Sequence, residues 1–282
     1  MVASTPLDST TADGQLPTAD PVVVLDRVSL AFDEKTVLRE VSFSVRPGRT
    51  MIILGASGSG KSTILKLLLG LWKPDGGRIV VNGASIGGMT ERELVAVRAD
   101  LGMVFQEGAL FDSLTVEENV GYRLFEARTW PDEAVHARVE EILGFVGLRE
   151  FAGRMPSELS GGQRRRVAIA RAMASKPAIL MYDEATTGLD PITAISVDEE
   201  MIKLRDLHAV TTIIVTHQLR DAFFVATHAA VREPGGIRIV PADPAKVDEA
   251  AFLMLRDGGV AFEGNAADLR ASTDPYIRTF LS

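Results

Sequence analysis

Residues 50 to 63 read TMIILGASGSGKST, and the order of pieces within this stretch decides the fold class. Thr50 to Gly55 is almost wholly apolar, the pattern of a strand buried on both faces of a parallel sheet. Gly55 to Thr63 then fits G-x-x-x-x-G-K-[ST], and a leucine-rich helical pattern runs on from Ser62. Between a strand and a helix, a loop of Gly55, Ala56, Ser57, Gly58, Ser59 and Gly60 can curl its backbone N–H groups around phosphates. The helix N-terminus adds partial positive charge. Lys61 is placed to bridge β- and γ-phosphates and Ser62 to offer a hydroxyl to Mg²⁺, with Thr63 completing the motif. The alternative is a chance glycine turn, which the flanking strand and helix argue against.

Two further apolar runs lie downstream. AILMYDE (Ala178 to Glu184) ends in two carboxylates. An isolated strand-end Asp-Glu pair is a helix cap or a solvated turn. Coupled to a phosphate loop, Asp183 is expected to hold Mg²⁺ through water and Glu184 to orient or deprotonate an attacking water. TTIIVTH (Thr211 to His217) ends in a histidine that is either structural or a γ-phosphate contact, since sites of such folds gather at the carboxyl ends of the strands. Helical stretches between the runs predict βαβ units and a mostly parallel sheet.

Working outward, VVVLDRVSLAF and VLREVSFSV predict antiparallel strands turning near Asp33-Glu34-Lys35, and GGRIVVNG (Gly76 to Gly83) a further hairpin strand. Helical patterns dominate from about Glu91 to Ser157 and read as an inserted subdomain. Residues 1 to 20 are small, polar and Pro/Gly-punctuated, and read as a disordered tail. The expected division is therefore one domain over 21–282, its core from 21–104 and 163–282 and its helical subdomain from 105–162.

LSGGQRRRVAIARA (Leu159 to Ala172) puts Ser160, Gly161, Gly162 and Gln163 at the mouth of a helix, as a loop cap or as an anion site. Val167, Ala170 and Ala174 form its apolar stripe, widened by Ile169 and Met173. Arg164, Arg165, Arg166 and Arg171 fall on the other face, to be solvated or salt-bridged, or to lend field support to phosphate.

Composition narrows the class. The 282 residues are 46% hydrophobic, enough for a sizeable core, and carry a net charge of −8, which argues against a general nucleic-acid binder. There is no cysteine, hence no disulfide or thiolate metal site. The longest apolar run, Ile64 to Trp72, is broken by Lys66 and Gly70 and falls short of a membrane span.

GASGSGKS, LSGGQ, ILMYDE and VTHQ, in this order and spacing, resemble the ATP-binding cassette (ABC) proteins from about Val22 to the C-terminus. The resemblance implies an α/β P-loop NTPase (RecA-like) core with an N-terminal antiparallel β part and a helical signature subdomain. It implies an ATPase using ATP and Mg²⁺. It assigns Gln106, in VFQEGALF, to a Q-loop that touches the metal site, and Asp190, in TTGLDP, to a D-loop at a dimer interface. Phe32 matches the aromatic that stacks on adenine, or else is a strand-core phenylalanine. ATP is sandwiched between two cassettes in this family, so Ser160 and the N–H groups near Gly162 would cover the nucleotide of a second copy.

A closer resemblance is to the ATPases of Mla/Mce-type phospholipid transport, carried by FQEGALFDSLTVEENV, MPSELSGG, GLDPITA and DPYIRTFLS. It implies a homodimer on integral membrane permease subunits, with further lipid-transport subunits, no nucleic acid, and a cytoplasmic place at the inner face of the inner membrane. GALF is then either the seat of the permease's coupling helix or subdomain core. Other readings are a single cassette of iron–sulfur assembly or a transporter ATPase for another substrate. A DNA-repair cassette would carry a long coiled coil, a translation factor two cassettes, and a degenerate cassette would lack Lys61, Glu184 or His217. Departures are Ala185 for the usual proline, Gln218 for the usual aspartate, and a long Val231 to Ala250 segment, read as a hairpin and loop or a regulatory contact.

Overall fold

Strand pairing converts these runs into one edge where the motifs meet. The computed structural model describes residues 20–282, so the tail expected over 1–20 lies, apart from Asp20, outside the described residues. Strands β1 (Val23–Phe32) and β2 (Lys35–Val45) pair antiparallel around a turn at Asp33-Glu34. Strand β3 (Thr50–Gly55) leads through the glycine loop into helix α1 (Lys61–Leu68). Strands β4 (Gly76–Val81) and β5 (Ala84–Ser85) complete a four-stranded sheet ordered β2-β1-β4-β5. Helix α2 (Glu91–Ala99) precedes strand β6 (Leu101–Val104). Helical patterns dominate the stretch 91–157, yet β6 sits inside it; four residues are too few to show a strand period.

Helices α3 (Val116–Ala127), α4 (Asp132–Phe145) and α5 (Gly161–Ala174) follow, the last two separated by single 3₁₀ turns at Arg149–Phe151 and Pro156–Glu158. Then come strand β7 (Ile179–Asp183), helix α6 (Pro191–His208), strand β8 (Thr211–Thr216) and helix α7 (Leu219–Thr227). The chain ends with strands β9 (His228–Glu233) and β10 (Gly236–Pro241), helix α8 (Pro244–Val247), strands β11 (Ala250–Arg256) and β12 (Gly259–Gly264), and helices α9 (Ala266–Ala271) and α10 (Pro275–Leu281).

The main sheet runs β12-β11-β3-β8-β7-β6, parallel except where β12 folds back on β11. Because β3 is flanked on both sides and covered on both faces, every residue of TMIILG is buried. Met51 and Ile53 face one core with α1 and the antiparallel sheet. Ile52 and Leu54 face the other, shared with α3 to α6. The helical stretch therefore packs into a core continuous with the sheet. Register aligns Leu54 with Thr216 and Asp183 with Val215, so the carboxyl ends of β3, β7 and β8 coincide.

The segment from Val231 to Ala250 forms most of the β9–β10 hairpin and then α8. Asp206 on α6 anchors it, accepting from the Ala230 N–H at 2.8 Å and pairing with Lys246 Nζ at 3.0 Å.

Candidate active site

The glycine loop adopts the backbone its composition permits. Gly58 and Gly60 have φ of 79° and 99°, in the left-handed region that glycine occupies without strain. A Cβ on Gly60 would lie 2.6 Å from Leu38 Cδ2 and 2.9 Å from the Val37 carbonyl, so β2 presses on the loop and admits nothing larger. Gly60 caps α1 without a side-chain bond, and the first N–H groups of a helix lack intrahelical partners. Ser59 Oγ is buried and has no partner among the described residues either. Lys61 Nζ is buried, donating to the carbonyls of Gly55 and Ala56 at 2.9 and 3.0 Å.

The strand ends bring the acidic groups to this loop. Ser62 Oγ donates to Asp183 Oδ1 at 2.7 Å. Glu184 Oε1 lies 3.7 Å from Lys61 Nζ and 3.2 Å from His217 Nδ1. Glu184 itself sits at φ 48°, its N–H donating to the Val215 carbonyl at 2.8 Å, so the residue after β7 turns its side chain in toward the loop. Burial lowers the pKa of Lys61, opposed by Glu184 and Asp183. Burial raises that of Asp183, against the hydrogen bond from Ser62.

A cleft of about 380 Å³ opens over these groups, lined by Phe32, Val37, Ser57, Gly58, Gly60, Lys61, Ser62, Thr63, Gln106 and Glu184. Phe32 is 43% exposed at its rim, more open than a strand-core phenylalanine. It meets Trp72 edge to face with ring centroids 4.7 Å apart, and Lys66 Nζ lies 4.5 Å from the centre of the Trp72 ring. The cleft suits a nucleoside triphosphate: a cradle only glycine fits, a buried cation, an orphaned hydroxyl and an aromatic rim. Ser62 and Asp183 supply the hard oxygens that Mg²⁺ prefers, with Gln106 beside them.

The signature residues line no part of this cleft. Ser160 caps α5, its hydroxyl accepting from the Gln163 N–H at 3.3 Å while Gln163 Oε1 accepts from the Ser160 N–H at 2.8 Å. Gly162 lies against α6, where a Cβ would come within 2.3 Å of Thr193 Cγ2. Asp190 caps α6, accepting from the Ile192 and Thr193 N–H groups, both at 3.1 Å.

Of the arginines of α5, Arg164 is exposed, as a solvated face would have it, whereas Arg165 is buried and Arg166 and Arg171 are half-buried. None is ion-paired among the described residues. They donate instead to backbone carbonyls: Arg164 to Leu159, Arg165 to Phe105 and Thr187, Arg166 to Val146, Arg171 to Gly108 and Ala109. Arg165 is only 6% exposed. Sequence reasoning also passed over Thr187, whose hydroxyl donates to Glu184 Oε2 at 3.3 Å and accepts from Gln218 Nε2 at 3.4 Å. The unusual residue after His217 was the only available signal for it.

A family model described as ABC transporter matches residues 38–187. The ATP-binding protein MlaF of the intermembrane phospholipid transport system of Escherichia coli is 35% identical, over 90% of this chain and 86% of its own. The methionine import ATP-binding protein MetN of Corynebacterium diphtheriae is 41% identical over 72% of this chain, which spans 59% of MetN. An ATP-binding cassette solved as a dimer in a post-hydrolysis state, bound to ADP and Pi, superposes with a TM-score of 0.70 at 30% identity, covering 86% of this chain and 98% of that one. The glycine cradle, the carboxylate pair and these matches lead to one conclusion: the chain belongs to the ABC transporter family, as an ATP-binding and ATP-hydrolysing cassette that uses Mg²⁺.

Proposed function

We propose that two copies of this chain close around two ATP molecules and that hydrolysis reopens them, driving a membrane permease that moves a phospholipid. The observation that carries this is the division of the site. Its own cleft is lined by Lys61, Ser62 and Glu184, with Asp183 behind them accepting from Ser62, but by no signature residue, so Ser160, Gly161, Gly162 and Gln163 are free to cover the nucleotide of a second copy. Asp190, capping the neighbouring helix, shares that face.

Within one cleft, Phe32 stacks on the base, and the loop from Gly55 to Ser62 holds the phosphates. Ser62, Asp183 and Gln106 would hold the metal, which when bound would neutralise charge on the phosphates. Glu184 takes a proton from the attacking water as its oxygen bonds to the γ-phosphorus and the bond to ADP breaks. His217 reaches the γ-phosphate from beside Glu184. Lys61 exchanges its two carbonyl partners for phosphate oxygens.

An apolar groove of about 490 Å³ runs beside Gln106, with Phe105, Phe111 and Tyr122 partly open to solvent. It is sized and lined to seat a short helix of a permease. No helix among the described residues is long and apolar enough to cross a membrane, so that role falls to the partner. Alignment with MlaF along nearly the whole of both chains supports phospholipid as the cargo, whereas MetN aligns over a smaller part of each. The test is to copurify the chain from native membranes and identify bound proteins and lipids by mass spectrometry. A permease with phospholipid is expected; a soluble partner alone refutes the transporter reading, and a permease with another cargo refutes the lipid. Glu184→Gln should bind ATP and accumulate as a dimer on size exclusion; wild-type turnover in that variant would remove Glu184 as base.

A further inference from the structure

The two oxygens of Glu184 have different neighbours. Oε1 faces Lys61 and His217, whereas among the described residues Oε2 is held by the Thr187 hydroxyl alone. Thr187 is itself fixed on several sides. Its N–H donates to the Glu184 carbonyl at 3.1 Å, and its own carbonyl accepts from Arg165 Nη2 at 3.0 Å. The other arm of that guanidinium, Nη1, donates to the Phe105 carbonyl at 3.1 Å, next to Gln106. A threonine hydroxyl has one proton to give. With the Gln218 amide donating to Thr187 Oγ1, that proton is left for Glu184. The terminal torsion of a glutamate is soft and roughly two-fold, so a donor on one oxygen sets which way the other points.

We propose that Arg165, Thr187 and Gln218 form a positioning set that aims the Glu184 carboxylate, tying the base of each subunit to its own signature helix. The set rests on the reading of Glu184 as base. Arg165 stands two residues after the signature Gln163 on α5, so the helix that would meet the partner's nucleotide is mechanically continuous with the turn that carries the base. Gln218, a departure from the family aspartate, is part of this device: a carboxylate there would accept the Thr187 proton and draw it away from Glu184.

The test is a double-mutant cycle on the full chain, reading kcat and KM for ATP in steady state and the single-turnover rate in slow variants. Thr187→Val should lower kcat about tenfold, a fraction of the 10²–10⁴ that a positioned base contributes, with KM changed less than about twofold. Thr187→Ser, which keeps the hydroxyl, should restore kcat. In a Glu184→Gln background, Thr187→Val should alter the residual rate by less than about twofold, because residues acting through one group are not additive. A full tenfold loss in both backgrounds, or wild-type kcat in Thr187→Val, overturns the inference. Should Thr187→Val fail to fold, Gln218→Glu, whose carboxylate would draw the Thr187 proton away from Glu184, enters the same cycle with the same criteria. If Glu184→Gln turns over normally, the base assignment itself is what fails. If Glu184→Gln is dead and Thr187→Val is fully active, only the positioning set is lost.

Discussion

Replacing Asp198 by Asn should flatten the pH dependence of this fold's stability. Asp198 lies on α6, fully buried, and neither of its carboxylate oxygens has a hydrogen-bond partner among the described residues. Burial, reinforced by Asp221 on α7 and more weakly by Glu199, pushes its pKa from the ordinary 3.8 up to about 8, with Arg220 acting in the opposite direction. The folded chain therefore keeps a proton that the unfolded chain releases above about pH 4. Stability from this group is fully present below that pH and is lost as pH rises through about 8, where a bare charge sits in the core. Roughly four pH units at about 1.4 kcal/mol each set a ceiling on the order of 5 kcal/mol. Relaxation and water entry reduce the measured figure to a few. The assay is urea denaturation of wild type and Asp198→Asn at a series of pH values, read as a difference so that titrating groups remote from Asp198 cancel, while its coupling to Asp221, Arg220 and Glu199 stays part of the effect. The variant's advantage should grow from near zero at about pH 4 to a plateau above about pH 8. A difference independent of pH, or one favouring wild type as pH rises, refutes the argument.

Ser160→Arg should abolish hydrolysis while leaving nucleotide binding to the monomer intact by equilibrium dialysis; lost binding would place the signature in the subunit's own pocket. Gly162→Ala forces a Cβ to 2.3 Å from Thr193 Cγ2 and should cost about 1–3 kcal/mol by thermal melting. Thr193→Ala in the same chain should recover most of that loss, since it removes the colliding methyl. Phe111→Asp puts a charge on a ring that is 43% exposed in the apolar groove, and should reduce permease recovery on copurification at least about tenfold.

The phosphate loop was legible because its information is local: glycines at positions needing positive φ, a strand before them and a helix after. Asp183, Glu184 and His217 were legible as strand ends, but their common edge depended on β3, β7 and β8 being neighbours in register, which no single run encodes. The arginines of α5 show the opposite case. Helical periodicity puts them off the apolar stripe, and hydropathy then reads solvent. What decides their environment is the supply of backbone carbonyls on neighbouring segments, at Phe105, Gly108, Ala109, Val146 and Thr187. Thr187 was missed for the same reason. Its partners come from three segments that meet only after the sheet has formed. The strand β6 escaped notice because its pairing with β7, rather than its four residues, makes it a strand.

The edge-to-face contact between Phe32 and Trp72 gives the chain an optical gauge of its own state. Only two tryptophans are present, and Trp130 lies in the linker between α3 and α4. Trp72 emission is sensitive to the ring at its edge and to the Lys66 ammonium over its face, both within 5 Å. If the base stacks on Phe32 as proposed, it should perturb that environment directly. Occupancy of the cleft should then be measurable in unlabelled protein, in real time, from the colour and intensity of Trp72 once Trp130 is replaced by Phe.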